Sequence, residues 1–426
     1  MGDFGFEQGG VDAAGGDAMS PTAYQTDHLF LLMGGNPLPN AVAALTLLNP
    51  GGTPHIVHTR QTQTQAQNLM ALLQEGFGYQ ASPLIDLDSA QAEALIIRDR
   101  VRRRASVLMG RVGLNYTGGT KPMSVNAYRA VAEVCPDAIF SYLDSNTSAM
   151  IVESDGTPSP RLPLAVNLSL EQLFQLHGLR WRADQPPLTE PILPEAAAHL
   201  AQLYQSWDLV RNWRQWCQNS LLPLTKDRDY WLPEWQLAEA QPVSLTGLAT
   251  PLKDVLQTHL GASQGELSLD KACQRGFGSL TQVCSWLDGL WLEHYTLTQV
   301  QGMAPGFAIQ EAGLGFHIVE PANPTPRYDK FEFDVAFMQG YHLFALSCTT
   351  ATGRARCKQK LLEAVVRARQ LGGSEARVAL VCGYHRAEEL QAELEVMGRD
   401  RRVAVFGRYD WPRLGRKIAE WVERNG

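Results

Sequence analysis

No apolar run in the 426-residue chain approaches the ~20 residues a membrane-spanning helix needs. The N-terminal stretch MGDFGFEQGGVDAAGGDAMSPT lacks a basic segment followed by an apolar core, so it does not read as a secretory signal. Its Gly, Ala and Asp content reads instead as a disordered leader over residues 1–24. The seven cysteines are irregularly spaced and include no CxxC pair. That disfavours a disulfide framework and a cysteine-rich zinc site, and it fits reduced, mostly buried thiols in a cytoplasmic protein. No repeat of solenoid period occurs.

What the chain does contain is enough apolar residue for sizeable cores, 45% of the total, and a length that suits two or three domains of about 100–200 residues. The net charge of −7 is unevenly spread. Residues 354–426 carry +6 and the remainder −13. A basic end on an acidic body suits contact with nucleic acid there; solvated helix faces would give the same count.

Strand-like and helix-like segments alternate from HLFLLMGG (28–35) to SAMIVES (148–154), which predicts a doubly wound α/β domain over 25–155. Residues 156–190 read as a Pro-rich connector. A tryptophan-rich helical pattern follows over about 192–300. The chain then returns to mixed α/β, with a hairpin over 331–350, a basic helix over 354–371, strands at 377–383 and RVAVFG, and a closing helix. The connector and helical region are assigned to 156–280 and the last domain to 281–426.

Two turns at strand ends stand out in the first domain: Gly34-Gly35-Asn36-Pro37 and Thr117-Gly118-Gly119-Thr120-Lys121. Ligands of open α/β sheets bind beyond the carboxyl ends of the strands. Glycines let backbone amides approach an anion there, Lys121 adds charge, and Thr117 and Thr120 add donors. A phosphate-bearing ligand is expected. Each turn taken singly is more often a plain tight turn; it is the two together at strand ends of one domain, one carrying Lys121, that bring the ligand reading level with it. Neither matches GxGxxG or the P-loop pattern, so dinucleotide and P-loop readings are disfavoured.

In the hairpin, Phe331, Phe333, Val335 and Phe337 alternate with Glu332, Asp334 and Ala336. Side chains two apart share a strand face, so one face is apolar and the other presents two carboxylates. Gln339-Gly340 can turn the chain toward a strand ending in Ser347, Cys348 and Thr349. Cys348 points away from that face and reads as core packing.

LMGGNPLPN and LNYTGGTKPMSVNAYRA resemble the two ligand loops of CARF domains, the Rossmann-like sensors of cyclic oligoadenylates in type III CRISPR defence. YLDSNT, LSLEQLFQLHG, GLWLEHY and FEFDVAF extend the resemblance to the subfamily that joins one CARF domain to a C-terminal PD-(D/E)xK nuclease, a restriction-endonuclease-like α/β fold. The resemblance implies a homodimer with one cyclic ligand across its two-fold axis, contacted by Asn36, Asn115, Thr117, Gly118, Gly119, Thr120 and Lys121. Cyclic tetra-adenylate is the first choice of ligand and the hexamer the second.

The same resemblance assigns Glu293 as the helix acid of a nuclease core, Asp334 as the strand acid holding Mg²⁺ or Mn²⁺, and Glu332 as part of the pattern. It also exposes two departures: Ser347 stands where the family has an acid and Thr349 where it has a lysine. Neutral hydroxyls are poor ligands for a hard dication. Lys358, Lys360 and Glu363 on the following basic helix are candidates to replace the missing groups; an ordinary basic helix is the alternative. The output implied is therefore a ligand-controlled nuclease acting on DNA or RNA, or else a non-cleaving sensor, nucleic-acid-binding effector or sink for the messenger.

Overall fold

The computed structural model describes residues 21–154, 158–320, 331–398 and 401–426. Most of the expected leader lies outside them, and Pro21–Tyr24 form a 3₁₀ turn. The chain separates into two compact units. One comprises residues up to 34, 39–66 and 73–165; the other comprises 35–38, 67–72 and 166–426.

The first unit contains β1 (Thr26–Leu32), α1 (Leu38–Leu47), β2 (Leu48–His58), α2 (Gln63–Ala71), β3 (Ile85–Asp86), α3 (Ala94–Ala105), β4 (Val112–Asn115), α4 (Lys121–Val134), β5 (Ile139–Asp144), β6 (Ala149–Val152) and β7 (Arg161–Pro163). These strands form one seven-stranded sheet in the order β3-β2-β1-β4-β5-β6-β7. The first five are parallel, and β6 and β7 run antiparallel at one edge. Leu29, Phe30, Leu31 and Leu32 are all buried, as expected of a parallel strand covered on both faces. Phe30 and Leu32 share a core with Ile97 and Val101 of α3 and Met123, Ala127 and Val131 of α4. Strand order reverses between β1 and β4, so this is the switch point at which open α/β sheets place their ligands.

The second unit begins with α5 (Leu170–Leu176) and β8 (Arg180–Trp181), which lie inside the stretch read as a connector. LSLEQLFQL is helical because Ser169 and Gln172 form a capping box and Leu170, Leu173, Phe174 and Leu176 are buried together. A helical layer follows, with α6 (Pro194–Leu203), α7 (Trp207–Trp216), α8 (Thr250–Leu260) and α9 (Trp291–Phe307) as its main members. The remaining elements are β9 (Ile309–Val319), β10 (Phe331–Gln339), β11 (His342–Thr349), α10 (Arg354–Gly372), β12 (Arg377–Cys382), α11 (Ala387–Gly398), β13 (Val403–Phe406) and α12 (Leu414–Glu423). They form a six-stranded sheet ordered β13-β12-β11-β10-β9-β8, in which β11, β12 and β13 are parallel and the rest antiparallel.

One core joins the helical layer to this sheet. Trp213, Trp216, Trp286 and Trp291 lie in it with Val335, Phe337, Phe344, Val381, Phe406, Trp411 and Trp421. The expected hairpin forms with Gln339 opposite His342, so the two-residue turn is Gly340-Tyr341, one position later than Gln339-Gly340. Gly340 has φ +60°, which glycine adopts without a Cβ penalty. Among the described residues, no helix is long and apolar enough to cross a membrane. All seven cysteines are free thiols, five of them buried.

Candidate functional site

The two glycine-rich turns converge at the switch point of the first sheet. They follow β1 and β4, which pair in register from His28–Val112 to Leu31–Asn115. A Cβ on Gly34 would sit 3.3 Å from the Gly119 nitrogen, and one on Gly118 would sit 2.2 Å from the Leu32 carbonyl oxygen. Only glycine at 118 permits that approach. Gly119 adopts φ +75°, the left-handed region that glycine favours. Thr120 caps α4: its hydroxyl accepts from the Met123 amide at 3.3 Å and donates to the Gln91 carbonyl at 3.0 Å. Pro122 sits in the first turn, where its missing N–H costs nothing. Lys121, the first residue of α4, is exposed. The amides of this helix start, its lysine and the glycine turn therefore share one end of one helix.

Other predicted residues of this site shape the loops. Asn115 is fully buried; its amide donates to the Ser141 hydroxyl at 3.1 Å, and its Oδ1 accepts from the Thr117 amide at 3.2 Å. The Thr117 hydroxyl accepts from the Leu143 amide at 2.6 Å. Asn36 accepts from the Leu38 amide at 3.0 Å and so starts α1; Pro37 is buried and Gly35 exposed. Two features escaped the sequence reading. Asn40 is buried, donates to the Leu32 carbonyl at 3.0 Å and leaves its Oδ1 without a partner. Tyr116 and Tyr142, with ring centroids 5.8 Å apart, flank the second turn. An asparagine four residues after the Gly34-Gly35-Asn36 turn and aromatics beside Thr117 were the available signals.

The second site lies on the six-stranded sheet. Leu292, Glu293, His294, Tyr295, Thr296 and Leu297 of α9 are all buried, which makes α9 a central helix and forces Glu293 inside. A π-turn precedes it, with Gly289 at φ +151°. Burial first, then the charges of Asp334 and Glu332, hold the Glu293 carboxyl well above the usual carboxylate range; Lys360 acts in the opposite sense. Glu332 is pushed in the same direction by partial withdrawal from water, its side chain staying 44% exposed, and by Asp334, against the pull of His317, Lys360 and Arg367. The His317 ring nitrogen lies 3.7 Å from the Glu332 carboxylate.

Asp334 is tied into the neighbouring strand. Its Oδ2 accepts from the Ser347 hydroxyl at 2.9 Å and from the Cys348 amide at 2.6 Å. The hydroxyl that replaces the expected acid therefore occupies the strand acid itself. A cavity of about 20 Å³ beside it is lined by Glu332, Asp334, Ser347, Lys360, Glu363 and Arg367, room for about one water. A larger cleft of about 450 Å³ is lined by Glu293, Cys348, Thr349, Lys360, Lys226 and Arg356, among others. Lys360 faces both spaces. Glu363 accepts from the Gln359 amide at 2.9 Å and lines only the smaller of the two. Lys358 is drawn elsewhere, 2.8 Å from a Glu393 carboxylate oxygen. The Cys348 thiol donates to Thr296 at 3.5 Å, and burial with the nearby Asp334 and Glu293 charges raises it well above the usual thiol range. It is a packing residue and a poor nucleophile. Lys226 and Trp231 have no signal in the sequence, because they lie far from the hairpin along the chain and only packing brings them to this cleft.

The fit of Mg²⁺ or Mn²⁺ can be judged from these donors. Among the described residues, no three His, Cys, Asp or Glu side chains converge as a metal site. One Asp334 oxygen already holds two donors, and two cations, Lys360 and Arg367, share the small cavity. The residues as arranged do not fit a hard dication, which needs several free oxygens. What the arrangement offers is a carboxyl that retains its proton beyond ordinary acidity, beside a lysine, in a cleft edged with basic residues.

These features define a two-part fold class: a CARF-type Rossmann-like sheet in one unit, and in the other a restriction-endonuclease-like α/β fold with its own helical layer. No family model and no curated protein matches the chain. Solved structures do. Protein VC1899 from Vibrio cholerae superposes with a TM-score of 0.68 at 16% identity, covering 94% of this chain and 98% of that one. Can2 from Sulfobacillus thermosulfidooxidans, solved in complex with cyclic tetra-adenylate, gives 0.66 at 16% identity, covering 93% and 99%. A type III CRISPR defence DNA nuclease activated by cyclic oligoadenylate gives 0.50 at 17% identity, covering 84% of this chain and 45% of that one. The chain shares their fold.

Proposed function

We propose that this chain is a cyclic-oligoadenylate-sensing effector of type III CRISPR defence. Two copies grip one cyclic ligand, cyclic tetra-adenylate, across a two-fold axis, and the nuclease-fold domain acts on nucleic acid in response. The observation that carries the reading is the contact of the Gly34 and Gly118-Gly119 turns at the switch point, with Lys121 opening the adjoining helix. A symmetric ring of phosphates suits a symmetric pair of such loops. Fold agreement with Can2, solved with cyclic tetra-adenylate, over nearly the whole of both chains supports it.

In the second domain, Glu293 is the acid, Asp334 and Glu332 are its charged neighbours, and Lys360 takes the part of the absent lysine, since it faces both the Asp334 cavity and the Glu293 cleft. Glu363 stands in for the absent strand acid, and Lys358 serves the fold through Glu393. A second reading, a non-cleaving effector or messenger sink, is favoured by the Ser347 hydroxyl bound to Asp334.

Calorimetric titration with cyclic tetra-adenylate tests the sensor. Binding that weakens at least tenfold in Lys121→Ala is expected, and equal binding by parent and variant removes the reading. Supercoiled plasmid and single-stranded RNA, incubated with Mn²⁺ and the messenger, separate the two outputs. Cutting abolished by Asp334→Ala identifies the nuclease; messenger binding without cutting identifies the second reading.

A further inference from the structure

Three parallel strands of the second sheet end side by side, and the loops beyond them meet closely. A Cβ on Gly383, after β12, would lie 2.5 Å from the Thr350 carbonyl oxygen; one on Gly407, after β13, would lie 2.6 Å from the Tyr384 carbonyl oxygen. The third loop carries Arg408 and Tyr409. Arg408 is only 4% exposed. Its guanidinium lies 5.1 Å from the Trp207 ring centroid and 4.8 Å from that of Tyr409. Nη2 donates to the Tyr409 hydroxyl at 3.0 Å, whereas Nε and Nη1 are buried without an acceptor. The neighbouring acid does not serve: Asp410 accepts from the Gly407 amide at 2.9 Å and lies 3.6 Å from Lys417. Buried guanidinium N–H donors without an acceptor are costly, and here they lie beyond the carboxyl ends of parallel strands, where ligands of such sheets bind.

The two rings over Arg408 are exposed, Trp207 at 46% and Tyr409 at 52%. Trp207 opens α7, and seven residues on, along the same helix face, Arg214 donates to the Thr352 hydroxyl at 2.8 Å. Thr352 lies three residues past Thr349, which lines the Glu293 cleft. The helix that opens with Trp207 thus also reaches, through Arg214, the loop that follows Thr349.

We propose that Trp207, Arg408 and Tyr409 form a docking subsite for single-stranded nucleic acid. A backbone phosphate accepts from one of the two unpartnered N–H donors of Arg408, Nε or Nη1, reached by a shift of the exposed Trp207 ring, and the adjoining base stacks on that indole. Stacking on aromatics beside basic groups is how unpaired strands are held without sequence preference. A duplex keeps its bases stacked inside and gains nothing from Trp207. The inference rests on the reading that this domain acts on nucleic acid.

The test is fluorescence anisotropy of a short labelled oligothymidylate, and of the same label on a duplex, with the full-length protein with and without cyclic tetra-adenylate. Trp207→Ala is expected to weaken the single strand about tenfold and leave the duplex unchanged, while Trp207→Phe, which keeps a stacking face, stays near the parent. Arg408→Gln is expected to lower the slope of log affinity against log salt by about 0.7, one phosphate on a single strand; should that variant not fold, the Trp207 pair carries the test. A Trp207→Ala protein that binds the oligothymidylate like the parent, or loses duplex and single strand equally, overturns the subsite alone. A parent protein that binds neither nucleic acid overturns the wider reading of the domain, and the subsite with it.

Discussion

Replacing Glu293 with glutamine should make the protein more stable, increasingly so as pH rises. Glu293 is 7% exposed, and its carboxyl is raised above the ordinary 4.5 by burial, Asp334 and Glu332, in that order. In the unfolded chain it ionises near its ordinary value. Above that pH the folded protein holds a proton that the unfolded chain has released. Stability then falls as pH rises, until the folded carboxyl itself ionises. One proton of difference gives a slope of about 1.4 kcal/mol per pH unit. For a unit of this size 1 kcal/mol is about 2–4 °C in Tm, so the parent loses ~3–6 °C per pH unit through that window from this group alone. Glutamine keeps the shape and cannot ionise. Thermal melts of parent and Glu293→Gln at a series of pH values from 5 upward, at constant ionic strength, should give a Tm difference that is small at pH 5 and widens with pH. Parallel curves would mean that Glu293 ionises as freely in the folded protein as in water, and the reasoning about the buried acid cluster would fail.

Two further substitutions probe the separate sites. Gly118→Ala places a methyl 2.2 Å from the Leu32 carbonyl oxygen; overpacking of this kind costs about 1–3 kcal/mol, so the Tm should fall and messenger binding should weaken as the turn is displaced, both read by a melt with and without cyclic tetra-adenylate. Unchanged behaviour would show that the turns do not depend on this approach. Ser347→Asp sets a carboxylate against Asp334 in place of the hydroxyl 2.9 Å away. The variant should be less stable than the parent in the presence of EDTA and should gain a Mn²⁺-dependent rise in Tm larger than the parent's, since binding only to the folded state stabilises it. Equal Mn²⁺ responses would refute the argument that the Ser347 hydroxyl contributes to the poor fit of a dication beside Asp334.

How far the sequence alone reached is clear from individual elements. The alternation of apolar segments with turns specified the parallel sheet of the first unit, because strands buried on both faces read as apolar runs such as HLFLL and helices as periodic ones. It also marked both glycine turns at the switch point, since glycine pairs at strand ends are local signals. The alternation of Phe333, Asp334 and Val335 specified the hairpin and the face carrying Asp334, because strand periodicity is fixed at two. LSLEQLFQL carries a capping box that is legible in the sequence, but the prolines on either side make the stretch read as connector.

Tertiary structure decided the rest. The family resemblance makes Asn115 and Thr117 ligand contacts; only the structure shows that their side chains also brace the loop against Ser141 and Leu143. Lys358 and Lys360 are two residues apart and indistinguishable as letters, but two residues on a helix differ by about 200° of rotation, so one meets Glu393 and the other faces the cleft. Glu293 became an abnormal acid only when α9 was buried on all sides beside the hairpin, and Arg408 became an unpaired cation only when Trp207, some two hundred residues earlier, closed over it. Periodicity and turn chemistry are written locally, whereas the charge state and accessibility of a side chain depend on neighbours that the chain brings in from afar.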